Sequence, residues 1–205
     1  MLDYEMSNLR SAEKALERLG GSVAHARKPA EAGEFDALVL PGDGHFGEAM
    51  RRLDESGLAA LVTDAAASGV PVLGICIGLQ VMFEGSEEAP GVPGLGLMSG
   101  MVRKLDDAPA KVPHIGWSHV TWDPRCPIAP PDDQPSDFYF LHSYAVQPDD
   151  ESSVWASADH GSTTFCAVAG KANVIGFQFH PEKSSVAGLD LLERWFGYED
   201  AMVGA

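Results

Sequence analysis

The sequence predicts an α/β fold in one domain: an open, mostly parallel twisted sheet flanked by helices, with an antiparallel strand region in the second half. The first half alternates short apolar runs with helical patterns, which is typical of parallel strands joined by right-handed crossovers. The second half contains strand-like runs joined by turns. The chain has 205 residues, of which 45% are hydrophobic, and this suits one domain with a full core.

The helices of the first half are indicated by apolar residues at helical spacing and by the glycines that follow them. Its strands are short apolar runs between those helices. The predicted order is a helix over 8–19, a short strand over 22–26, a buried strand over 36–40, helices over 47–53 and 58–67, and a strand over 70–73.

The second half is predicted to be mainly β-structure, because its apolar runs are short and bounded by turn residues. Strands are expected over 101–105, 117–122, 137–144, 154–158, 163–168 and 174–179, a proline-rich loop over 124–135, and a final amphipathic helix over 188–196.

The chain begins unusually for an α/β sheet, because only Met1-Leu2 precede the polar residue Asp3. We expect either a shortened first strand or a natural start upstream of Met1. The first residues show no basic region followed by an apolar stretch, so no secretory signal is expected. No apolar run approaches the length of a membrane span. The expected location is therefore the cytoplasm.

Charge and cysteine content exclude several classes of protein. The formal net charge is −16, from 30 acidic and 14 basic residues, whereas nucleic-acid binding needs clustered Lys and Arg. The scattered acidic groups are explained by solubility. Cys76, Cys126 and Cys166 are odd in number and far apart, so we expect a reducing compartment without disulfides. Since no pair has zinc-finger spacing, we expect no metal site and no cofactor.

Cys76 lies between two glycines in Gly74-Ile75-Cys76-Ile77-Gly78, after the apolar run 70–73 and before an amphipathic segment over 79–83. This is the layout of a nucleophile elbow, with sulfur where G-x-S-x-G hydrolases carry oxygen. The glycines would permit the tight turn. The N-terminus of the following helix would favour the thiolate over the thiol. A small residue packed at a strand end is the simpler alternative, since free cysteine is often buried.

A base for this nucleophile is available in His180-Pro181-Glu182, which follows the apolar strand predicted over 174–179. Parallel sheets place ligands at such strand ends, where Cys76 is also expected. Glu182 is close enough in sequence to orient the imidazole. A lone histidine in a surface turn is the alternative reading of His180. His142 also ends an apolar strand and could line the same site.

Taken together, the stretch from Gly74 to Gln80 and His180-Pro181-Glu182 resemble the pattern of class I glutamine amidotransferases. A finer resemblance is to the glutaminase subunits of imidazole glycerol phosphate synthase, which belong to histidine biosynthesis. The supporting stretches span nearly the whole chain and are Asn8-Leu9-Arg10-Ser11, residues 41–47, residues 83–88, residues 113–117 and residues 180–185.

The resemblance implies that the chain hydrolyses glutamine to glutamate and ammonia and delivers the ammonia to a (β/α)8-barrel cyclase, as one half of a heterodimer. It implies a triad of Cys76, His180 and Glu182. The other implied positions are backbone oxyanion donors at Ile77 and Asp43, glutamine contacts at Gly44, Gln80, Glu88, His142, Ser143 and Tyr144, and partner contacts at Asn8, Trp117, Tyr139 and Lys183. Ordinary core or surface packing would explain Trp117 and Tyr139 equally well.

This sequence departs from the family pattern at three positions. Glu5 and Ser7 stand near usual glycines, and Asp43 stands where valine is usual. A carboxylate pointing inward from Asp43 would oppose the charge of an oxyanion, which suggests a low basal glutaminase rate that depends more on the partner.

Three other functions remain open from the sequence. One is an amidotransferase of anthranilate, guanylate or pyridoxal phosphate synthesis. The others are a catalytically weakened regulatory subunit of the same fold and a free-standing hydrolase of γ-glutamyl peptides.

Overall fold

The structure, a computed structural model, describes residues 1–6, 9–106 and 110–203. Within these ranges lie the helices α1 (Leu9–Arg18), α2 (Phe46–Ser56), α3 (Leu58–Ala67), α4 (Ile77–Gln80) and α5 (Ser185–Val203). The strands are β1 (Leu38–Gly42), β2 (Val72–Cys76), β3 (Gly85–Ser86), β4 (Gly100–Lys104), β5 (His114–Trp122), β6 (Asp137–His142), β7 (Tyr144–Pro148), β8 (Val154–His160), β9 (Thr163–Lys171) and β10 (Val174–Phe177). Short 3-10 turns lie at Pro29–Glu31, Glu151–Ser153 and Pro181–Lys183.

The main sheet has seven strands in the order β1-β2-β10-β9-β8-β5-β6. Its first three strands are parallel to one another, and each later pairing is antiparallel. A second sheet has the order β3-β4-β7. The predicted α/β class, with its antiparallel region in the second half, is confirmed.

Helices cover both faces of the parallel strands, because successive strand residues point to opposite faces. Leu38 and Leu40 of β1 pack in one cluster with residues of α2 and α3, such as Met50 and Val62. Val39, between them, packs in the opposite cluster, which also contains Leu16 of α1 and Leu191, Leu192 and Trp195 of α5.

The strand predicted over 22–26 is wrong, because the structure shows only a single parallel bridge between Leu2 and Ala26. The N–H of Leu2 also donates to the carbonyl of Val39 at 2.9 Å. Leu2 therefore lies beside β1 and Ala26 without belonging to a strand.

The strand predicted over 137–144 is divided in two at Ser143. Before this residue, β6 pairs with β5 in the main sheet, and after it β7 pairs with β4 in the small sheet. His142, Ser143 and Tyr144 thus lie where the chain passes from one sheet to the other.

Three strand ends meet at the edge of the parallel region. Gly42 of β1 lies opposite Cys76 of β2, and Ile75 lies opposite Phe177 of β10. The segment that leads to His180 therefore leaves the sheet beside Cys76. In the described part of the chain, no helix is long and apolar enough to cross a bilayer.

Candidate active site

Cys76 sits in a strained backbone conformation between β2 and α4. Its φ is 54° and its ψ is −108°, which non-glycine residues rarely adopt. A Cβ on Gly78 would overlap the carbonyl oxygen of Leu40, and one on Gly74 would lie 2.7 Å from the backbone nitrogen of Leu79. The two glycines are needed for close approach of neighbouring backbone, whereas the strained φ belongs to the cysteine itself.

The helix after Cys76 is shorter than predicted. It covers only Ile77–Gln80, a single turn, before the chain turns away. A helix of this length carries a small dipole, so its N-terminus would stabilise a thiolate less than a longer helix would.

His180 lies beyond the end of β10, and its backbone N–H donates to the carbonyl of Tyr139 at 2.9 Å. Its Nδ1 donates to Oε1 of Glu182, also at 2.9 Å. The sulfur of Cys76, a ring nitrogen of His180 and a carboxylate oxygen of Asp43 all lie within 4.8 Å of one another. The predicted nucleophile, base and orienting carboxylate are therefore brought together at one edge of the sheet.

The protonation of His180 is controlled by its surroundings. Burial acts to lower its pKa, but interactions with Cys76 and Glu182 outweigh burial and raise the pKa to about 10. The ring therefore carries a proton at neutral pH, and this proton is available to a group that leaves beside Cys76.

A pocket of about 210 Å³ opens beside Cys76. The six positions that the sequence indicated for glutamine contacts all line it. The lining residues are Gly44, Cys76, Ile77, Gln80, Glu88, Pro113, Leu141, His142, Ser143 and Tyr144.

Gln80 and Glu88 are among the lining residues whose side chains already have protein partners. Nε2 of Gln80 donates to the carbonyl of Tyr144 at 2.9 Å and to Oε1 of Gln178 at 3.1 Å. Oε2 of Glu88 accepts the N–H of Phe46 at 2.7 Å. Since Phe46 begins α2, Glu88 caps this helix from a distant segment. Both side chains thus hold the pocket walls in place.

The two predicted oxyanion donors differ in availability. Ile77 is the first residue of α4, where backbone N–H groups have no partner within the helix. The N–H of Asp43, in contrast, donates to the carbonyl of Met6 at 2.6 Å. In this conformation Asp43 therefore offers no backbone donor to the pocket, which differs from the expectation.

The carboxylate of Asp43 points inward, the orientation that would oppose an oxyanion. Its Oδ1 lies 3.3 Å from Nε2 of His180, and its Oδ2 lies 3.9 Å from Nζ of Lys183. The side chain is 39% exposed, so one side of it faces solvent.

Two residues at the site were missed by the sequence analysis. Gln178 is buried, and its Nε2 lies 3.8 Å from the sulfur of Cys76. Its signal was a polar residue between the apolar Phe177 and Phe179. Tyr4 is also buried, with a hydroxyl that has no hydrogen-bond partner. Burial, followed by the charges of Cys76 and Asp43, raises the pKa of Tyr4, so the phenol stays neutral.

His142 lines the pocket and belongs to a group of three histidines. Nε2 of His142 and Nδ1 of His114 share a hydrogen bond of 3.2 Å, and the ring of His160 stacks on His114. Burial lowers the pKa of His142 to about 3 and that of His114 to about 4. The rings of His142 and His114 are therefore neutral at the pH at which His180 is charged.

The predicted partner positions lie on and beside one exposed face of β5 and β6. Trp117 pairs with Tyr139 and Ile115 with Leu141, so these four side chains share a face. Ile115 is 59% exposed, Trp117 55% and Leu141 39%. We call these four residues the apolar face. Lys183 is exposed near Asp43, and Asn8 lies outside the described residues.

The fold and this arrangement, a cysteine at a strand-to-helix elbow beside a histidine–carboxylate pair, are typical of enzymes that hydrolyse amides through a cysteine. The profile of the family "Glutamine amidotransferase class-I" matches residues 1–196. The chain belongs to this family, as the resemblance indicated.

Curated relatives narrow this assignment. The "Imidazole glycerol phosphate synthase subunit HisH" of Deinococcus radiodurans is 45% identical over 196 residues, covering 95% of this chain and 91% of the relative. The protein of the same name from Bacillus subtilis is 42% identical over 200 residues, covering 95% and 93%. The finer resemblance predicted from the sequence is confirmed.

Solved structures agree on the fold. The "Structure of PurLQS from Thermotoga maritima" contains a chain that matches with a TM-score of 0.73 and 18% identity, covering 96% of both chains. A "Crystal structure of glutamine amidotransferase" matches with a TM-score of 0.71 and 19% identity, covering 100% of this chain and 98% of the other. At these identities the likeness shows the fold alone.

Proposed function

We propose that this chain is the glutaminase subunit of an imidazole glycerol phosphate synthase. It hydrolyses glutamine to glutamate and ammonia, and it passes the ammonia to a (β/α)8-barrel cyclase in the cytoplasm. The observation that carries the proposal is the meeting of Cys76, His180 and Glu182 at one strand edge, within 4.8 Å for sulfur and ring nitrogen and at 2.9 Å for ring and carboxylate.

The reaction begins with attack of the Cys76 sulfur on the side-chain amide carbon of glutamine. His180 gives its proton to the departing nitrogen, and ammonia leaves. The resulting glutamyl thioester is then hydrolysed by a water that His180 deprotonates, which frees glutamate and restores the cysteine. Glu182 keeps the ring oriented and stabilises its charged form.

The negative oxygen of each tetrahedral intermediate needs backbone donors. Ile77 supplies one from the start of α4. Asp43 supplies a second only after its N–H leaves the carbonyl of Met6, a bond of 2.6 Å in this conformation. Full activity therefore requires a movement of the segment at Asp43.

The pocket beside Cys76 provides the binding site for glutamine. Its walls are fixed by hydrogen bonds from Gln80 to Tyr144 and from Phe46 to Glu88. The remaining pocket contacts come from Gly44, His142 and Ser143, as proposed from the sequence.

The apolar face supports docking of the cyclase. Large apolar side chains exposed together on a soluble protein commonly mark an interaction surface. This face lies on the strand whose Leu141 carbonyl is 3.8 Å from the Cys76 sulfur. Lys183 adds a charge beside it, and Asn8 is proposed as a further contact. A partner bound there would shield ammonia from bulk water.

The test is release of glutamate by the full chain with a (β/α)8-barrel cyclase and its ribonucleotide substrate. Turnover should be slow alone and faster in the complex, because binding at one site changes the other. Cys76→Ala should abolish it. Cys126→Ala is the matched control, since Cys126 is buried but is not part of this pocket, and it should retain activity. Turnover by Cys76→Ala would overturn the proposal.

The same assay separates the alternatives. An amidotransferase of another pathway would be stimulated by a different synthase and not by the cyclase. A γ-glutamyl hydrolase would turn over peptides at full rate with no partner. The names of the HisH relatives, at 41% to 45% identity, favour the cyclase.

A further inference from the structure

We propose that Asp43, Cys76 and His180 form a binding site for a thiophilic divalent cation, Zn²⁺ in particular, and that its occupation reversibly blocks the cysteine. The inference rests on the proposed function only for the consequence of binding, since the site itself is defined by three side chains. Under this proposal, the rate of glutamine hydrolysis depends on the concentration of free Zn²⁺.

The three donor atoms suit zinc in type and in spacing. They are a sulfur, an imidazole nitrogen and a carboxylate oxygen, all within 4.8 Å of one another. Zinc binds these ligand types at about 2.0–2.3 Å, and sites that stay open to a fourth ligand commonly use three protein side chains. A tetrahedral ion at these bond lengths sets its ligands roughly 3–4 Å apart. A contraction of about 1 Å would complete the site.

His180 gives independent evidence for a ligand at this place. Its side chain is only 2% exposed, and its Nε2 is a buried polar atom without a hydrogen-bond partner. Such atoms are rare in folded proteins. Its Nδ1 is fixed by Glu182 at 2.9 Å, and this carboxylate–histidine pair is the outer support that metal-bound histidines commonly have. Nε2 therefore faces Cys76 and Asp43, and its contact with Oδ1 of Asp43 at 3.3 Å is an ion-pair approach that does not have hydrogen-bond geometry.

Asp43 makes the site a feature of this sequence, because valine at this position would leave only the cysteine and the histidine. Its Oδ1 faces Nε2 at 3.3 Å, while its Oδ2 lies 3.9 Å from Nζ of Lys183. At 39% exposure the carboxylate can meet a cation from solvent and bring it to the two buried ligands. The formal net charge of −16 also favours the approach of cations.

Binding is an exchange of the cation for a proton. The proton held by the pair of Cys76 and His180 is released to water, and the sulfur and Nε2 each donate an electron pair to the metal. No oxidation or reduction occurs. A sulfur bound in this way cannot attack an amide, so glutamine hydrolysis stops until the cation is removed.

Co²⁺ is the probe for the test, because a cysteine sulfur bound to it gives a charge-transfer absorption that can be titrated. The full chain, freed of metals and without glutamine, is titrated with Co²⁺ and then displaced with Zn²⁺. We expect saturable absorption with the unchanged chain and none with Cys76→Ala. Asp43→Val and Asp43→Asn should each weaken affinity at least tenfold. Asp133→Val, which removes an exposed carboxylate in the proline-rich loop, should bind like the unchanged chain.

Two results would overturn the inference. One is the absence of the absorption in the unchanged chain, and the other is equal affinity in both Asp43 variants, each checked for folding by circular dichroism. In the complex with the cyclase, Zn²⁺ should also inhibit glutamate release, and a chelator should restore it. Since the Co²⁺ titration needs no turnover, it can succeed or fail whatever the outcome of the glutaminase assay.

Discussion

Asp43 places a carboxylate 3.3 Å from Nε2 of His180, at a position where the resemblance described in the sequence analysis led us to expect valine. Two effects of this residue act in the same direction. The charge opposes the negative oxygen that forms during the reaction. The backbone N–H of the same residue is bound to Met6 and is withheld from that oxygen.

We expect Asp43→Val to raise the basal glutaminase rate by about tenfold, which corresponds to about 1.4 kcal/mol in the barrier. The stimulation by the cyclase should fall accordingly, because less activation remains for the partner to supply. Glutamate release is measured with and without the cyclase, in the presence of a chelator so that bound cations do not contribute. If the unchanged chain and Asp43→Val released glutamate at equal rates, both with and without the cyclase, Asp43 would not limit the basal activity.

At the same scale, the sequence revealed the residues that carry a local motif. Cys76 was recognised by its flanking glycines, and His180 by the tripeptide that closes a strand. Gln178 and Tyr4 were missed, because each meets Cys76 only through contacts between segments far apart in sequence. The inward orientation of Asp43 was likewise left open, since no local pattern determines it.

Among the elements, the elbow between β2 and α4 depends on the missing side chain of Gly78. A Cβ there would overlap the carbonyl oxygen of Leu40 on the neighbouring strand, and backbone cannot give way as a flexible side chain can.

Gly78→Ala should therefore destabilise the protein by about 3 kcal/mol or more, a large effect for one methyl group. The matched control is Gly197→Ala in α5, where a Cβ meets nothing within 4 Å. That change should be neutral or stabilising by up to about 1 kcal/mol, because alanine is the better helix former. Urea denaturation of the two variants measures both effects, and equal stability would contradict this view of the elbow.

The buried histidines on β5 and β6 make stability dependent on acid. The pKa of His142 is lowered to about 3 in the folded chain, whereas an unfolded histidine titrates near 6.5. The contribution of the neutral ring is therefore present above pH 6.5 and is lost as the pH falls towards its folded value.

We expect the free energy of unfolding to fall between pH 6.5 and 4 by about 1.4 kcal/mol per pH unit for each such histidine. His142→Gln should reduce the slope by about one proton. His119→Gln, at a ring that is 68% exposed, should leave the slope unchanged. Denaturant titrations at a series of pH values provide the measurement, and parallel slopes for all three proteins would refute the assignment.

Local periodicity predicted most elements to within a few residues, and α3 over its whole length. It did not predict that α4 ends after one turn or that β6 and β7 separate at Ser143. Both depend on pairing between distant strands, since β7 leaves the main sheet to join β4. A run of alternating residues carries no information about which sheet it will enter.

At the scale of the whole molecule, the apolar face is notable because it contains three of the four large apolar side chains that are exposed among the described residues. The ring of Trp117 packs edge-on against Tyr139, with ring centroids 6.2 Å apart. This contact leaves Trp117 55% exposed. Exposed aromatic side chains of this kind often supply much of the binding energy at interfaces.

Trp117→Ala should weaken binding of the cyclase by about tenfold to a hundredfold while leaving basal glutamate release unchanged. Glu55→Ala is the control, because this exposed residue of α2 is remote in sequence from the face. Affinity is measured by titration calorimetry on the full chains. An unchanged affinity for Trp117→Ala would show that the cyclase docks elsewhere.

Strand β6 lies between the exposed apolar face and the catalytic groups Cys76 and His180. Its Tyr139 and Leu141 side chains are turned outward, while their carbonyl oxygens receive the N–H of His180 at 2.9 Å and face the sulfur of Cys76 at 3.8 Å. Strand β6 alone thus separates a partner bound at the apolar face from Cys76 and His180. A partner that displaced β6 from outside would therefore also change the distances from its carbonyl oxygens to His180 and Cys76. Binding of a subunit could affect the two reacting groups through this one strand, without a chain of intermediate residues.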